Sequence, residues 1–267
     1  HNLNFTIGKQ FVNFGGYEYY VNSIRVREFS EFNNLLTAYQ AGISGNWQVS
    51  PDHELCFQIV NNRNGNDEDI YPTGLPEGTA KAKIPFMYTV NWNSYYLDKT
   101  LQLRYATAVG QQTRKRYSYY FTCGNTYEKG PLLTYLDVMY TRQGIDQHGV
   151  VSRLPGTPHT AMNTEYLSII GDVDYRVHPQ WNVYVKGAYE TAWVYKSNGD
   201  FRKGMYRRSW NAQSSVEFFP FKQLDLFVFV LYTYRGVILE KAATRMGAIE
   251  PDTHRISLGL VYSIPVF

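Results

Sequence analysis

The sequence predicts an all-β fold, an antiparallel transmembrane β-barrel, and three observations carry that prediction. About twelve segments alternate apolar and polar residues, and most are 10–13 residues long. That is about the length a tilted strand needs to cross a bilayer, whereas strands of soluble sandwiches run nearer 5–6 residues. No stretch approaches the roughly 20 apolar residues of a membrane helix; the longest, from Leu226 to Tyr234, is about half that. The composition agrees. Aromatic residues make up 16% of the 267 positions, with 24 Tyr, 15 Phe and 5 Trp, and charged residues only 18%. Mean hydropathy is nevertheless negative, as expected when only alternate residues touch lipid.

Taken in order, the predicted strands are 2–13, 36–47, 53–62, 83–93, 99–109, 116–123, 131–141, 164–176, 181–193, 207–219, 224–235 and 254–267. In the second, Tyr39, Ala41, Ile43 and Trp47 share one face and Gln40, Ser44 and Asn46 the other. In the fifth, Leu101, Leu103, Tyr105 and Val109 oppose Gln102 and Arg104. The ninth places Trp181 and Trp193 at the two ends of an apolar face with Val183 and Val185 between, as interfacial aromatic girdles require. In the twelfth, Ile256, Leu258, Leu260 and Tyr262 oppose Arg255 and Ser257; Phe267 ends the chain out of phase, with Pro265 between. Periodicity does not say which face looks outward, because a soluble lipocalin-like barrel alternates too.

The connections alternate in length. Short links fall at 48–52, 94–98, 124–130, 177–180 and 220–223, several with Pro, Asn, Asp or Gly turn chemistry. Long ones fall at 14–35, 63–82, 142–163, 194–206 and 236–253, with 110–115 a short exception among them. Short turns on one rim and long loops on the other is the pattern of outer-membrane barrels. Counting back from a periplasmic C-terminus puts every long link outside. The whole of 1–267 therefore reads as one barrel domain, and because His1 opens directly onto a strand, the reading expects N-terminal strands to be missing.

A net charge of +3 without long basic blocks argues against nucleic acid as a partner. Cys56 and Cys123 read as two unpaired thiols. No glycine-rich phosphate loop or zinc signature is present, so no cofactor or metal is expected. The 65–69 run, Gly-Asn-Asp-Glu-Asp, has oxygen ligands for a divalent cation but reads more readily as a solvated loop tip. Arg114, Lys115 and Arg116 form a rim cluster that suits anionic lipid phosphates or anionic solutes and reads equally as an ordinary solvated cluster. Acyl-transfer chemistry needs a nucleophile beside a held histidine. His53 and His178 fall in short turns, His148 and His159 in one long loop, His254 at a strand start, and no Gly-x-Ser-x-Gly occurs. A barrel hydrolase is thus the weakest of three readings, behind a channel and a closed scaffold barrel.

The run Gly8-Lys9-Gln10-Phe11-Val12-Asn13-Phe14-Gly15-Gly16-Tyr17-Glu18-Tyr19, with His53-Glu54-Leu55-Cys56-Phe57-Gln58-Ile59-Val60-Asn61-Asn62-Arg63, resembles porins of Bacteroidetes-type bacteria in the phosphate-selective porin O and P family. The resemblance implies a sixteen-stranded, trimeric, water-filled barrel in a Gram-negative outer membrane, surrounded by lipid and lipopolysaccharide and near other outer-membrane proteins. Phosphate selectivity in that family rests on basic side chains in the pore. Here the polar faces carry Arg104, Arg116, Lys186, Arg235 and Arg255, but also Glu54, Asp137, Asp172, Asp174, Glu190 and Glu217. Such a mixture predicts passive diffusion of small hydrophilic solutes or ions with weak selectivity. Glu18, Arg25, Arg27, Glu28 and Glu31 lie in the long link after the first strand, which either folds inward as a constriction or stays an external loop with ordinary solvated charges.

Overall fold

The computed structural model describes residues 2–20, 29–31, 39–62, 71, 74–147, 149–154, 159–221 and 226–262. Twelve strands form one antiparallel sheet in chain order: β1 (Asn2–Phe11), β2 (Tyr39–Ser50), β3 (His53–Asn61), β4 (Phe86–Tyr96), β5 (Leu101–Thr113), β6 (Arg116–Lys129), β7 (Leu132–Ile145), β8 (Met162–His178), β9 (Trp181–Val194), β10 (Gly204–Phe218), β11 (Leu226–Leu239) and β12 (Thr253–Tyr262). Each strand pairs with its sequence neighbours. Among the described residues β1 and β12 do not pair with each other, so the sheet is open. Two single-turn helices join it, α1 (Tyr17–Tyr20) and α2 (Lys241–Thr244).

All twelve predicted segments are strands, but β6 corrects its predicted end. It was expected to stop at Cys123, before Gly124 and Asn125, yet it continues to Lys129. Gly124 is not a turn residue. A Cβ there would lie 2.8 Å from the Asp137 carboxylate and 2.8 Å from the Gly16 Cα, so glycine makes room for a close approach. The short links accordingly tighten to 51–52, 97–100, 130–131 and 179–180 at one end of the sheet, and to 114–115 at the other. The register of residues 263–267, Pro265 and Phe267 among them, lies outside the described residues, as do His148 and the acidic run at 65–69.

The orientation that the sequence left open is settled by burial. Large apolar side chains point away from the inner face: Ile43, Ile59, Val90, Val185 and Val230 are exposed along the middle of their strands. Gln40, Ser44, Gln58, Thr89, Asn91, Gln213 and Thr233 are buried on the opposite face. A soluble barrel does the reverse. The apolar belt runs round the sheet, far beyond the roughly 300–600 Å² patch of a typical soluble monomer. Aromatic residues edge it. Trp47, Trp92, Tyr96, Tyr175 and Trp181 lie towards the short turns, and Tyr39, Tyr88, Tyr117, Tyr119, Trp193 and Trp210 towards the long loops. Trp181 and Trp193 stand near the two ends of the 14-residue β9. A rise of about 3.3 Å per residue and a tilt of about 40° separate them by roughly 30 Å along the barrel axis, the thickness of a bilayer's hydrocarbon core. The belt is therefore a lipid-facing surface.

The loop end of the interior is packed. Asp146, just beyond β7, is fully buried and accepts hydrogen bonds from the Ser152 backbone N–H (2.7 Å), Ser152 Oγ (2.6 Å), Thr164 Oγ1 (3.3 Å) and the Tyr166 hydroxyl. Burial raises its carboxyl above the ordinary carboxylate range, against the lowering effect of those four bonds. The loop folds back over Val151, Leu154 and Ala161, which join Phe201, Tyr206 and Ala243 in one buried cluster.

A mid-belt charge tests the lipid-facing assignment. Val185→Arg should lower the unfolding free energy in lipid vesicles by about 2–4 kcal/mol. Urea titration of parent and variant reads this directly, and an unchanged midpoint would contradict a lipid-facing Val185.

Candidate functional site

The chain leaves β1 and turns inward rather than out into solvent, and two glycines make the turn. Gly15 has φ +122°, and a Cβ on it would sit 2.6 Å from the Tyr19 Cβ. Gly16 passes so close to β7 that a Cβ would lie 2.4 Å from the Asp137 carboxylate. No larger residue fits either position. The turn starts α1, whose first backbone N–H groups have no partner within their own helix. Asp137 supplies one from across the sheet: Oδ1 accepts from the Tyr17 N–H at 2.9 Å and Oδ2 from the Glu18 N–H at 2.8 Å. A carboxylate at a helix N-terminus is also favoured by the exposed backbone dipoles.

The same segment is fastened to the inner face strand after strand. The Asn13 N–H donates to Gln58 Oε1 on β3 at 2.6 Å, and Asn13 Oδ1 accepts from Asn91 Nδ2 on β4 at 2.7 Å. Phe14 packs edge-on against Tyr120 of β6, Tyr17 against Tyr135 of β7, and the Arg104 guanidinium of β5 lies 4.2 Å over the Tyr20 ring. Glu18 Oε1 meets Lys186 Nζ of β9 at 2.7 Å, with both side chains buried. Glu18 Oε1 also accepts the Ser30 N–H at 2.6 Å. At the far end, the Glu31 carboxylate bridges Arg207 of β10 and Arg235 of β11, and its N–H donates to Glu190 Oε1 of β9 at 2.7 Å. Glu250 joins both arginines, at 3.2 and 3.3 Å. The described stretches 12–20 and 29–31 thus touch the inner face from β3 to β11, which requires the sheet to curl around them. We call them together the strap.

The polar residues singled out in the sequence fall into two groups by burial. Asp137, Asp172, Lys186 and Glu190 are buried, and all but Asp172 lie under the strap and hold it. Glu54, Arg104, Arg116, Asp174, Glu217, Arg235 and Arg255 keep some exposure. Of these, Glu54 accepts from Asn93 Nδ2 at 3.1 Å, Glu217 from Asn182 Nδ2 at 3.1 Å, and Arg116 donates to Asn163 Oδ1 at 2.9 Å. Of the candidate constriction charges, Glu18 and Glu31 are in the strap; Arg25, Arg27 and Glu28 lie outside the described residues. Sequence reading missed Asn13, Arg207 and Glu250. Arg207 was legible only as an inward charge at a strand start, because its partners lie 176 and 43 residues away.

Among the described residues the histidines are not arranged as nucleophile–base pairs. His53 packs against Trp92 and Tyr96, His159 faces Asp200 at 3.9 Å, and His254 Nδ1 meets the Tyr232 hydroxyl at 2.8 Å. Among the described residues no cluster of His, Cys, Asp and Glu could hold a metal ion.

A sheet that is apolar where it faces out and polar where it curls in, with these stretches strapped across its bore, defines an outer-membrane channel of the β-barrel type. Comparison with known proteins agrees. The chain belongs to the phosphate-selective porin O and P family, whose model matches residues 1–264, and it is a porin channel of a Gram-negative outer membrane. Among solved structures, the outer membrane channel DcaP of Acinetobacter baumannii superposes with a TM-score of 0.62 at 12% identity, over 98% of this chain and 72% of that one. OmpT of Vibrio cholerae gives 0.53 at 12% identity, over 97% and 74%. Its trimer form gives 0.51 at 12%, over 96% and 74%. No curated protein sequence matches the chain. At such identities the structural likeness speaks to the fold, and the family match to the class.

Removing the Asp137 carboxylate should free the strap. Asp137→Ala leaves two buried N–H groups without their acceptor, a loss of about 1.5–3 kcal/mol for each charged hydrogen bond. Amide hydrogen exchange at Tyr17 and Glu18 should accelerate by more than tenfold while exchange along β8 and β9 stays slow. Unchanged exchange at both amides would contradict the contact.

Proposed function

We propose that this porin passes small hydrophilic solutes and ions by passive diffusion, with weak selectivity, through a bore narrowed by the strap. The observation that carries the reading is charge neutralisation across the inner face. Lys186 is met by Glu18, and Arg207 and Arg235 are met by Glu31 and Glu250. The remaining inward charges, Glu54, Asp137, Asp172, Asp174, Glu190 and Glu217 against Arg104, Arg116 and Arg255, have both signs, and bases do not dominate. A phosphate-selective row of bases needs one sign to dominate, so the family's substrate is not carried over. A transverse field between opposite charges orients polar solutes without choosing strongly between anions and cations.

Several finer points accompany the proposal. The C-terminus and the short turns face the periplasm, and the long loops face outside, as the loop lengths suggest. A homotrimer is supported by the trimer form of a structural neighbour. A Bacteroidetes-type source is supported by the 8–19 and 53–63 motifs. In lipid an unpaired strand edge is untenable, so the β1 and β12 edges are both paired in the membrane. We assign the chain no catalytic role and no cofactor. A closed, non-conducting scaffold barrel is not favoured by the family or by the channel neighbour.

Planar-bilayer recording tests this. Stable conductance steps are expected, with a reversal potential near zero in a potassium chloride gradient and no block by millimolar phosphate. A strong anion preference, or block by phosphate, would overturn the weak-selectivity reading. Absence of steps from folded protein would overturn the open bore.

A further inference from the structure

A second charged site lies at the loop end, outside the bore. Loop 195–203 and loop 240–252, which carries α2, enclose a cavity of about 610 Å³ lined by Arg202, Lys203, Lys241 and Arg245. All four side chains are exposed, and among the described residues none of them forms an ion pair. Of the two lining carboxylates, Glu240 holds Arg208, and Asp200 is exposed beside His159 at 3.9 Å. Met205, Ala242 and Met246 complete an apolar floor. Four cations against one unpaired carboxylate around an apolar-floored hollow leave a net positive site that suits an amphiphile with an anionic head.

The cavity's direction identifies which amphiphile. β10 carries a bulge at Tyr206, so Met205 pairs with the outward Trp193 while Arg207, two residues on, points inward. Arg208 pairs with the outward Ile238, and its partner Glu240 follows on the same side. The hollow therefore opens on the lipid-facing side of the rim, within a few residues of the exposed Trp193, Trp210 and Ile238 that edge the apolar belt. A solute in the bore does not pass this surface. A lipid of the surrounding leaflet does: its acyl chains would lie on the belt and its head beside the cations.

We propose that this rim cavity binds a phosphate-bearing glycolipid of the outer leaflet, lipid A, with Arg202, Lys203, Lys241 and Arg245 taking its phosphates. Guanidinium and ammonium groups bind phosphate through short, charge-assisted hydrogen bonds, and Met205 and Met246 adapt to the irregular surface of a sugar or acyl chain. The proposal rests on the reading that the long loops face outside; it does not depend on the bore being open.

The test is native mass spectrometry of the detergent-purified protein titrated with bisphosphorylated lipid A, dephosphorylated lipid A and inorganic phosphate. The parent should retain bisphosphorylated lipid A. The variant R202Q/K203Q/K241Q/R245Q should bind it more than about tenfold more weakly, a loss equivalent to a single charge-assisted hydrogen bond or more. A control variant at the short-turn end of the sheet, K99Q/K129Q, whose lysines are exposed away from the cavity, should bind like the parent. Heat-modifiable gel mobility checks that each variant is folded. Equal binding by parent and quadruple variant would overturn the site, as would equal binding of the dephosphorylated lipid. Binding of inorganic phosphate as tight as that of the lipid would assign the cavity to a free anion instead. Bilayer conductance, recorded on the same samples, reports the bore separately, so a silent channel that binds lipid A sinks the pore reading and spares this one.

Discussion

The structure depends on one carboxylate placed opposite two glycines. Asp137 projects from the inner face of β7, and the strap can reach it only because neither Gly16 nor Gly124 carries a Cβ. The reward for that approach is a pair of hydrogen bonds from the Tyr17 and Glu18 backbone to a buried carboxyl group. Once α1 is fixed there, Glu18 is aimed at Lys186, and the Ser30 N–H can return to the same carboxylate. Buried ion pairs are weak contributors to net stability, but removing one partner commonly costs about 3–5 kcal/mol because the other charge is stranded. The strap is held by such all-or-none contacts. Its position is specified more than it is strengthened.

The wall obeys a different constraint. Lipid offers no hydrogen bonds, so every backbone group in the belt must find its partner in a neighbouring strand. The strands are long because the membrane is thick, and they alternate because one side meets hydrocarbon and the other polar groups. Val185 and Lys186 show the consequence on adjacent residues, one half exposed to the belt and the next fully enclosed beneath the strap. The sequence of β9 has to satisfy both within a rise of about 3.3 Å.

That regularity is why the strands were legible and much of the interior was not. Period-2 alternation located all twelve, including the Trp181 to Trp193 span, because it is a local property of each segment. Gly124 misled for an equally local reason: a glycine beside an asparagine reads as a turn, and only the approach of Gly16 explains it inside a strand. Which face looks outward needed the assembled sheet. The strap's charges were recognisable as charges, but whether they met the inner face or solvent was open in the sequence, because the partners of Glu18 and Glu31 are set by curvature. Glu31 meets Arg235 across 204 residues of chain, and no spacing in the sequence announces that pairing. Asn13 and Glu250 carry no signal of their own, being ordinary loop residues until the sheet curls around them.

The account's central claim is that the Asp137 and Lys186 contacts keep the strap inside the bore and so set its width. Single-channel recording of Asp137→Ala/Lys186→Met beside the parent tests it most directly, since this pair removes both anchors without touching the belt. Larger and noisier conductance steps, with passage of solutes that the parent excludes, are the predicted result. Steps of the same size, noise and solute cut-off as the parent would contradict the claim.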